Sequence, residues 1–474
     1  MQPDSEKKMT LYGEKTKAFN ERFRMTAYAL SEVSEYVTAL VEVKKACARL
    51  NARLGALDEE VALAITWACD QVLVGHYRDQ FVVDSWALNA AVNTNVNEVI
   101  AALANQYLSQ KASSSKVTVI DVNRSQSAND VCPTAQFIAL YRLSESTLKS
   151  LKNLESALAN KAVEFKDALR VGRSGLRDSF PITFGQVIAG WYATLLRNRK
   201  RLESVREELK HVPLGGTVIG IGFGTPVGYF DAICQELSSV TGISLDHGDV
   251  EGIGISHANV FSLMQSNDTL TAVAHAAQAV TLAFGQIGND LYVFSSGPRT
   301  GIRELTLPAI APGSSIMPGK LNPLMPELML QIMQQGSGNA MMTELAQNDL
   351  ALDVATHSTA SFLGTYELLE LLARGTEKFT ALCIKGLGIN AEHSAKEAHQ
   401  SVALREIIGM VFSLEDQNRV VQRMKENAMT IEEAVVDLGL CRQEDAKKLF
   451  DLLRWTDPYT SSTLIEEFKS ALKA

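Results

Sequence analysis

No two of the chain's six cysteines stand close enough to form a metal clip or a redox pair: Cys47, Cys69, Cys132, Cys234, Cys383 and Cys441 are scattered over 474 residues. They read as the reduced, mostly buried thiols of a cytoplasmic protein. Positive charge is scarce too. A formal net charge of -9 argues against a nucleic-acid groove, which needs a strong local excess of Lys and Arg; a small anion needs only a local positive pocket. The first 20 residues have no continuous apolar core, because Asp4, Glu6, Lys7, Lys8, Glu14 and Lys15 interrupt it, and no signal peptide is expected. The best membrane candidate, 270–284, is short and holds His275 and Gln278, which suits burial in protein rather than lipid. Neither nucleic acid nor membrane is an expected partner. Alternating strand patterns are few, and there are no internal repeats or low-complexity runs.

What the chain has in abundance is helical periodicity, over 26–50, 137–168, 187–210, 270–292 and 324–350. The fold class expected is therefore all-α. Several of these stretches are too long and too apolar all round for surface helices. A long bundle, with subunit association, would cover them. Composition is that of an ordinary globular protein, 46% apolar and 21% charged, and the length exceeds what one core usually supports. Gly and Pro cluster at 213–228 and 308–323, which read as loops. Near 390–401 the composition shifts to a charged tail of shorter helices, in which 460–463 and the helix beyond read as solvated. Three domains are expected: an N-terminal helical domain at 1–134, a long-helix bundle at 135–392 and a small helical domain at 393–474.

The chemistry concentrates in PGSSIMPGKLNPLMPELM, residues 312–329. Asn322 before Pro323 reads as an N-cap followed by proline at the first helical position, which sets Lys320 and Asn322 at the positive end of a long helix. Free amides, an ammonium and a carboxamide donor together make a receptor for a carboxylate. Two glycines with Ser314 and Ser315 give a loop that can move and present a hydroxyl. Two further segments follow the same logic. In SQSANDVCPT (125–134) Asn129 and Asp130 precede a helix with proline in its first turn, and in NTNVNE (93–98) Asn95 reads as a cap with Glu98 three residues on. Either alone is more often plain capping. The glycines of 215–224 have the wrong spacing for a dinucleotide loop, and Leu321 rules out a phosphate-binding reading of Gly319-Lys320. His247, His257 and His275 have no Glu or Cys at metal spacing, so no metal is expected; His257 is a candidate replacement acid.

Taken together, the segments resemble the aspartase/fumarase superfamily. GSSIMPGKLNP matches that family's signature loop nearly letter for letter, and SSGPRTGIRELTLPAIAP before it with LMPELM after it is more similar to aspartases than to fumarases. VNRSQSANDVCPTA, NTNVNEVIAALA, VGRSGLRDSFPITFGQVIAGW and LGGTVIGIGFGTPVGY also fall in the family's order, from roughly residue 80 to the charged tail. The resemblance implies a homotetramer whose central domains form a twenty-helix core, with each active site shared between three subunits. It implies that Ser314 is the base that removes a Cβ proton, its alkoxide stabilised by backbone amides of the loop. Lys320 and Asn322 would hold the carboxylate of a small-molecule substrate, with Asn129, Ser127, Ser174 and Ser315 completing the binding set and Glu327, Arg173 and Asn95 in support. The reaction implied is an anti elimination through a dianionic aci-carboxylate, giving fumarate or a relative and requiring no cofactor.

Several family positions are changed. The family's Thr-His pair is Ser174-Gly175, which leaves Glu327 without the histidine it meets in fumarases. The Thr and Ser of the GTSTNMN pattern are Ala90 and Ala91, with Val92 next; the second hydroxyl of SQSTND is Ala128; the Thr and Asn of GTGLN are Ile221 and Gly224; the HPND histidine is missing from 117–121; and the GY motif of the tail is Ser413-Leu414. At roughly 1 to 3 kcal/mol per lost donor, recognition of plain aspartate would weaken by orders of magnitude. The expectation is a carbon–nitrogen lyase for an N-substituted or bulkier aspartate, with Gly175 supplying room. A fumarase-like hydratase and a non-catalytic structural or regulatory paralogue are the alternatives.

Overall fold

In the helix Asp268–Phe294, residues Leu270, Val273, Ala277, Val280, Phe284, Ile287 and Leu291 are all at most 1% exposed. Their spacing of three and four in alternation is what a helix needs to keep one apolar seam against its neighbours. This is the one helix long and apolar enough to cross a membrane among the described residues, and it is mostly buried inside the protein, as its sequence predicts. The computed structural model describes residues 10–347, 352–355 and 358–471. The N-terminal charges from Asp4 to Lys8, and the last three positions of the 324–350 stretch, lie outside the described residues.

Eighteen α-helices and four short strands are present among the described residues, so the chain is all-α. The longest helices are Asn89–Gln110, Ala128–Glu164, Phe184–Val205, Asp268–Phe294, Leu324–Gln347 and Ser358–Phe379. Four of them overlap the predicted stretches 137–168, 187–210, 270–292 and 324–350, although Ala128–Glu164 begins nine residues earlier than expected; Asn89–Gln110 and Ser358–Phe379 answer to no predicted stretch. Helix was expected from residue 26, but it begins at Ser34. Asp84 is the cause: its Oδ2 accepts from the amides of Met25 and Thr26 at 2.6 and 2.7 Å and its Oδ1 from Thr26 Oγ1 at 2.8 Å, holding that stretch extended.

The chain divides into two compact units, and each boundary falls inside a helix. The first comprises 1–150, 198–281 and 332–374. In it Ser34–Arg53 packs against Glu59–Leu73 and Tyr229–Thr241, and Glu59–Leu73 packs against Asn89–Gln110. The second unit comprises 151–197, 282–331 and 375–474. It contains an antiparallel hairpin of Leu169–Ser174 and Arg177–Thr183 that rests on Ala391–His399. Its C-terminal helices close around Leu404, Ile407, Ile408, Val420, Val435, Leu449, Leu464 and Phe468. Leu464 and Phe468 belong to the last helix, so the tail read as solvated carries a core face of its own.

Candidate active site

The loop before Leu324–Gln347 closes on itself. Ser314 N donates to Lys320 O at 3.0 Å and Lys320 N to Met317 O at 3.1 Å, with Gly319 at φ +83° completing the turn. There is no room for a side chain at Gly313, where a Cβ would stand 2.7 Å from Lys320 O. Within this ring Ser314 Oγ accepts from the amides of Ile316 at 3.3 Å and Met317 at 3.2 Å. Two backbone donors aimed at one hydroxyl oxygen favour its ionised form and hold it without reorganisation. Ser314 is half-buried, whereas Ser315, Lys320 and Asn322 are exposed, and a cleft of about 90 Å³ runs along 309–314, Leu321, Asn322 and Leu324.

One predicted detail is shifted. The first helical hydrogen bond is Glu327 N to Pro323 O at 3.1 Å, so Pro323 occupies the cap and Asn322 precedes it. Asn322's carbonyl, not its side chain, accepts the Leu324 amide at 2.9 Å. The side chain of Asn322 is therefore not committed to capping. Glu327 sits in the first turn, half-buried.

The hairpin in the same unit turns at Gly175 and Leu176, both at positive φ, +55° and +61°. Ser174 is exposed at its tip, and nothing lies within 4 Å of where a Cβ on Gly175 would be. Arg173 is not free to meet a ligand head on. With Arg170 it flanks the fully buried Glu304, at 2.9 to 3.2 Å.

In the first unit, the start of Ala128–Glu164 carries the second set of predicted residues. Ser127 Oγ accepts the Asn129 amide at 3.2 Å, and Asn129 Nδ2 donates to Val218 O at 3.1 Å. Asp130 receives three backbone amides: Ser127 at 2.8 Å, Gly215 at 3.0 Å and Thr217 at 3.0 Å. Burial pushes its carboxyl up to about 7, against the pull of those amides and of Lys44. Lys44 is itself fully buried, its ammonium held by Asn93 Oδ1 at 2.7 Å, Asn123 Oδ1 at 2.9 Å and Gln126 Oε1 at 2.9 Å. Burial lowers it to about 8.

Asn95 corrects a prediction. It lies inside Asn89–Gln110 rather than at its start, fully buried, with its amide clamped between Val83 N and Gln80 O. Glu98 likewise binds Gly13 N and Thr16 Oγ1. Both side chains are committed to contacts within the chain. His257 is exposed with its ring edge-on to Phe230, His247 stacks on the same ring, and His275 pairs with Glu344. Sequence reading passed over Lys44 and Glu304, and treated Asp130 as a cap. The one available signal for Lys44 was its helical phase with Val37, Leu40 and Cys47, which places a cation on an apolar face.

Long buried helices, one of them headed by a loop that aims two amides at a serine oxygen, are the features on which the chain's likeness to known proteins bears. A family model described as a lyase matches residues 5–338. Among curated proteins, the chain is 31% identical over 454 residues to fumarate hydratase class II of Halalkalibacterium halodurans, covering 94% of this chain and 96% of that protein. It is 30% identical over 451 residues to an aspartate ammonia-lyase of a Bacillus species, covering 94% of each. Among solved structures, fumarate lyase:delta crystallin from Brucella melitensis, bound to cobalt, superposes with a TM-score of 0.87 at 31% identity, over 95% of this chain and 96% of that one. The class II fumarase of Schistosoma mansoni gives 0.85 at 25% identity, over 95% and 96%. The chain belongs to the aspartase/fumarase superfamily of lyases.

Proposed function

We propose that the protein catalyses reversible anti β-elimination of an amine from an aspartate-like, N-substituted substrate, giving fumarate or a related enoate. The observation that carries this reading is Ser314 Oγ under the amides of Ile316 and Met317, an arrangement suited to a serine that must act as a base. In the proposed step Ser314 takes the Cβ proton and the C–H electron pair moves into the neighbouring carboxylate. The C–N bond then breaks, its pair leaving on nitrogen. Lys320, Asn322 and Ser315 on the loop, with Ser127 and Asn129, are the proposed carboxylate donors, and Ser174 the donor from the hairpin.

Two features favour an amine over water as the leaving group. An ammonium departs as a neutral amine, whereas hydroxide needs a proton donor, and the family's histidine position is Gly175. Polar anchors elsewhere have become Ala90, Ala91, Ala128 and Ile221, the last 61% exposed with Phe223 beside it at 76%, which suits an apolar substituent. By family likeness we also propose a cytoplasmic homotetramer with each site completed by three subunits.

The test is a panel read by ultraviolet absorbance of the enoate: N-substituted aspartates, aspartate and malate for elimination, and amines with fumarate for addition. Turnover is expected with a substituted aspartate and not with malate. The 31% identity to a fumarase, against 30% to an aspartase, makes malate the informative competitor, and fast turnover of malate or of plain aspartate would overturn the assignment.

A further inference from the structure

Asp130 does more than cap a helix. A carboxylate three residues into a helix ordinarily reaches back to one amide at the cap, and Asp130 Oδ1 does so with Ser127 N at 2.8 Å. Its other oxygen takes two more amides, Gly215 and Thr217, from a loop 85 and 87 residues away. That loop is strained where it is held. Thr217 is β-branched, buried, and at φ +56°, a backbone state such residues avoid, and its Oγ1 has no partner. Gly216 between them is closely packed, a Cβ there meeting Pro213 O and Val260 Cγ1 at 3.0 Å. Immediately beyond the clamp stand Val218, whose carbonyl takes the Asn129 side chain, and the exposed run Ile219, Ile221 and Phe223.

We propose that Asp130 is a positioning residue: one buried carboxylate fixes the segment bearing Ser127 and Asn129 to the loop bearing Ile221 and Phe223, setting the distance between carboxylate donors and the apolar wall that meets the amine substituent. Its role toward substrate rests on the lyase reading above; the clamp itself does not. The groups facing Asp130 are the Lys44 ammonium, the thiols of Cys47 and Cys132 and the Tyr229 phenol. Only Lys44 is cationic, and it is committed to three carboxamide oxygens, so the backbone amides are the carboxylate's direct partners.

All three partners are N–H donors, so Asp130→Asn can satisfy one side of the clamp only; its NH₂ must face a donor on the other. In the full-length variant, amide hydrogen exchange at Gly215 and Thr217 is expected to rise at least about tenfold, with the rest of Ala128–Glu164 unchanged. KM for the best substrate of the panel should rise about tenfold, with kcat within about threefold, the pattern of lost ground-state positioning. Asp130→Glu should recover part of both. If Asp130→Asn does not fold, exchange in the wild-type chain serves: the Gly215 and Thr217 amides should be protected to the level of the Ala128–Glu164 helix interior, and exchange there at the rate of an open loop would overturn the proposal. Unchanged exchange at Gly215 and Thr217 in a folded Asp130→Asn, or a fall in kcat at constant KM, would also overturn it. A response in exchange from a chain that turns over nothing in the panel would keep the clamp and reject the lyase reading instead.

Discussion

Glu304 is enclosed by the guanidinium groups of Arg170 and Arg173, and Arg170 in turn lies 4.4 Å over the Phe294 ring. Glu304→Gln removes the only anion among those three groups and leaves two cations facing each other in a site where the glutamate is 0% exposed. A loss of about 3 to 5 kcal/mol is expected, read as a lowered urea midpoint; an unchanged midpoint would show the triad to be energetically idle. Lys44 gives a pH dependence instead. Its native value of about 8 lies below its ordinary 10.5, so the native state releases a proton before the unfolded chain does. Stability should therefore rise with pH across that window, relative to a Lys44→Met variant in which the contribution is absent. Equal pH slopes for the two proteins between about pH 8 and 10 would contradict the burial assigned to this ammonium. Neither Lys44 nor Glu304 was legible in the sequence as a functional or structural centre, because their partners lie 49 to 82 and 131 to 134 residues away. Ser314 and Lys320 were legible because they sit in one short run.

At the scale of elements, the serine loop depends on its glycines. Gly313→Ala would push a methyl against Lys320 O, reopening the ring that aims Ile316 and Met317 at Ser314. Because the loop is largely exposed, we expect kcat to fall about tenfold or more while unfolding free energy changes by less than about 1 kcal/mol. Kinetics with a denaturation curve check this; parallel losses in both would mean that the loop is part of the core. Elements were the most legible level. The seam of Asp268–Phe294 is written in its spacing, and the glycine and proline clusters mark the loops. The hairpin at 169–183 was not legible, since its strands are short and its Gly175-Leu176 turn lacks the usual Asn-Gly signal. The delayed start at Ser34 was hidden for a different reason: it is imposed by Asp84, outside any local window.

For the whole molecule, the long helices present large apolar side chains outward, with Leu282 51%, Tyr292 45%, Met341 54% and Leu345 66% exposed. Such faces support the proposed association of subunits. Sedimentation equilibrium should give four times the chain mass of 51.7 kDa, and a stable monomer at micromolar concentration would refute the tetramer and with it the shared site. The all-α class and superfamily were legible from motif order, whereas the leaving group was not, because it depends on positions changed to Ala, Ile and Gly that mark a loss without naming a replacement. The most direct test of the central claim is enoate formation from the best N-substituted aspartate by the wild-type chain and by Ser314→Ala. Loss of at least about a thousandfold in kcat with little change in KM is predicted for a serine that removes the Cβ proton; a variant as fast as the parent would contradict it.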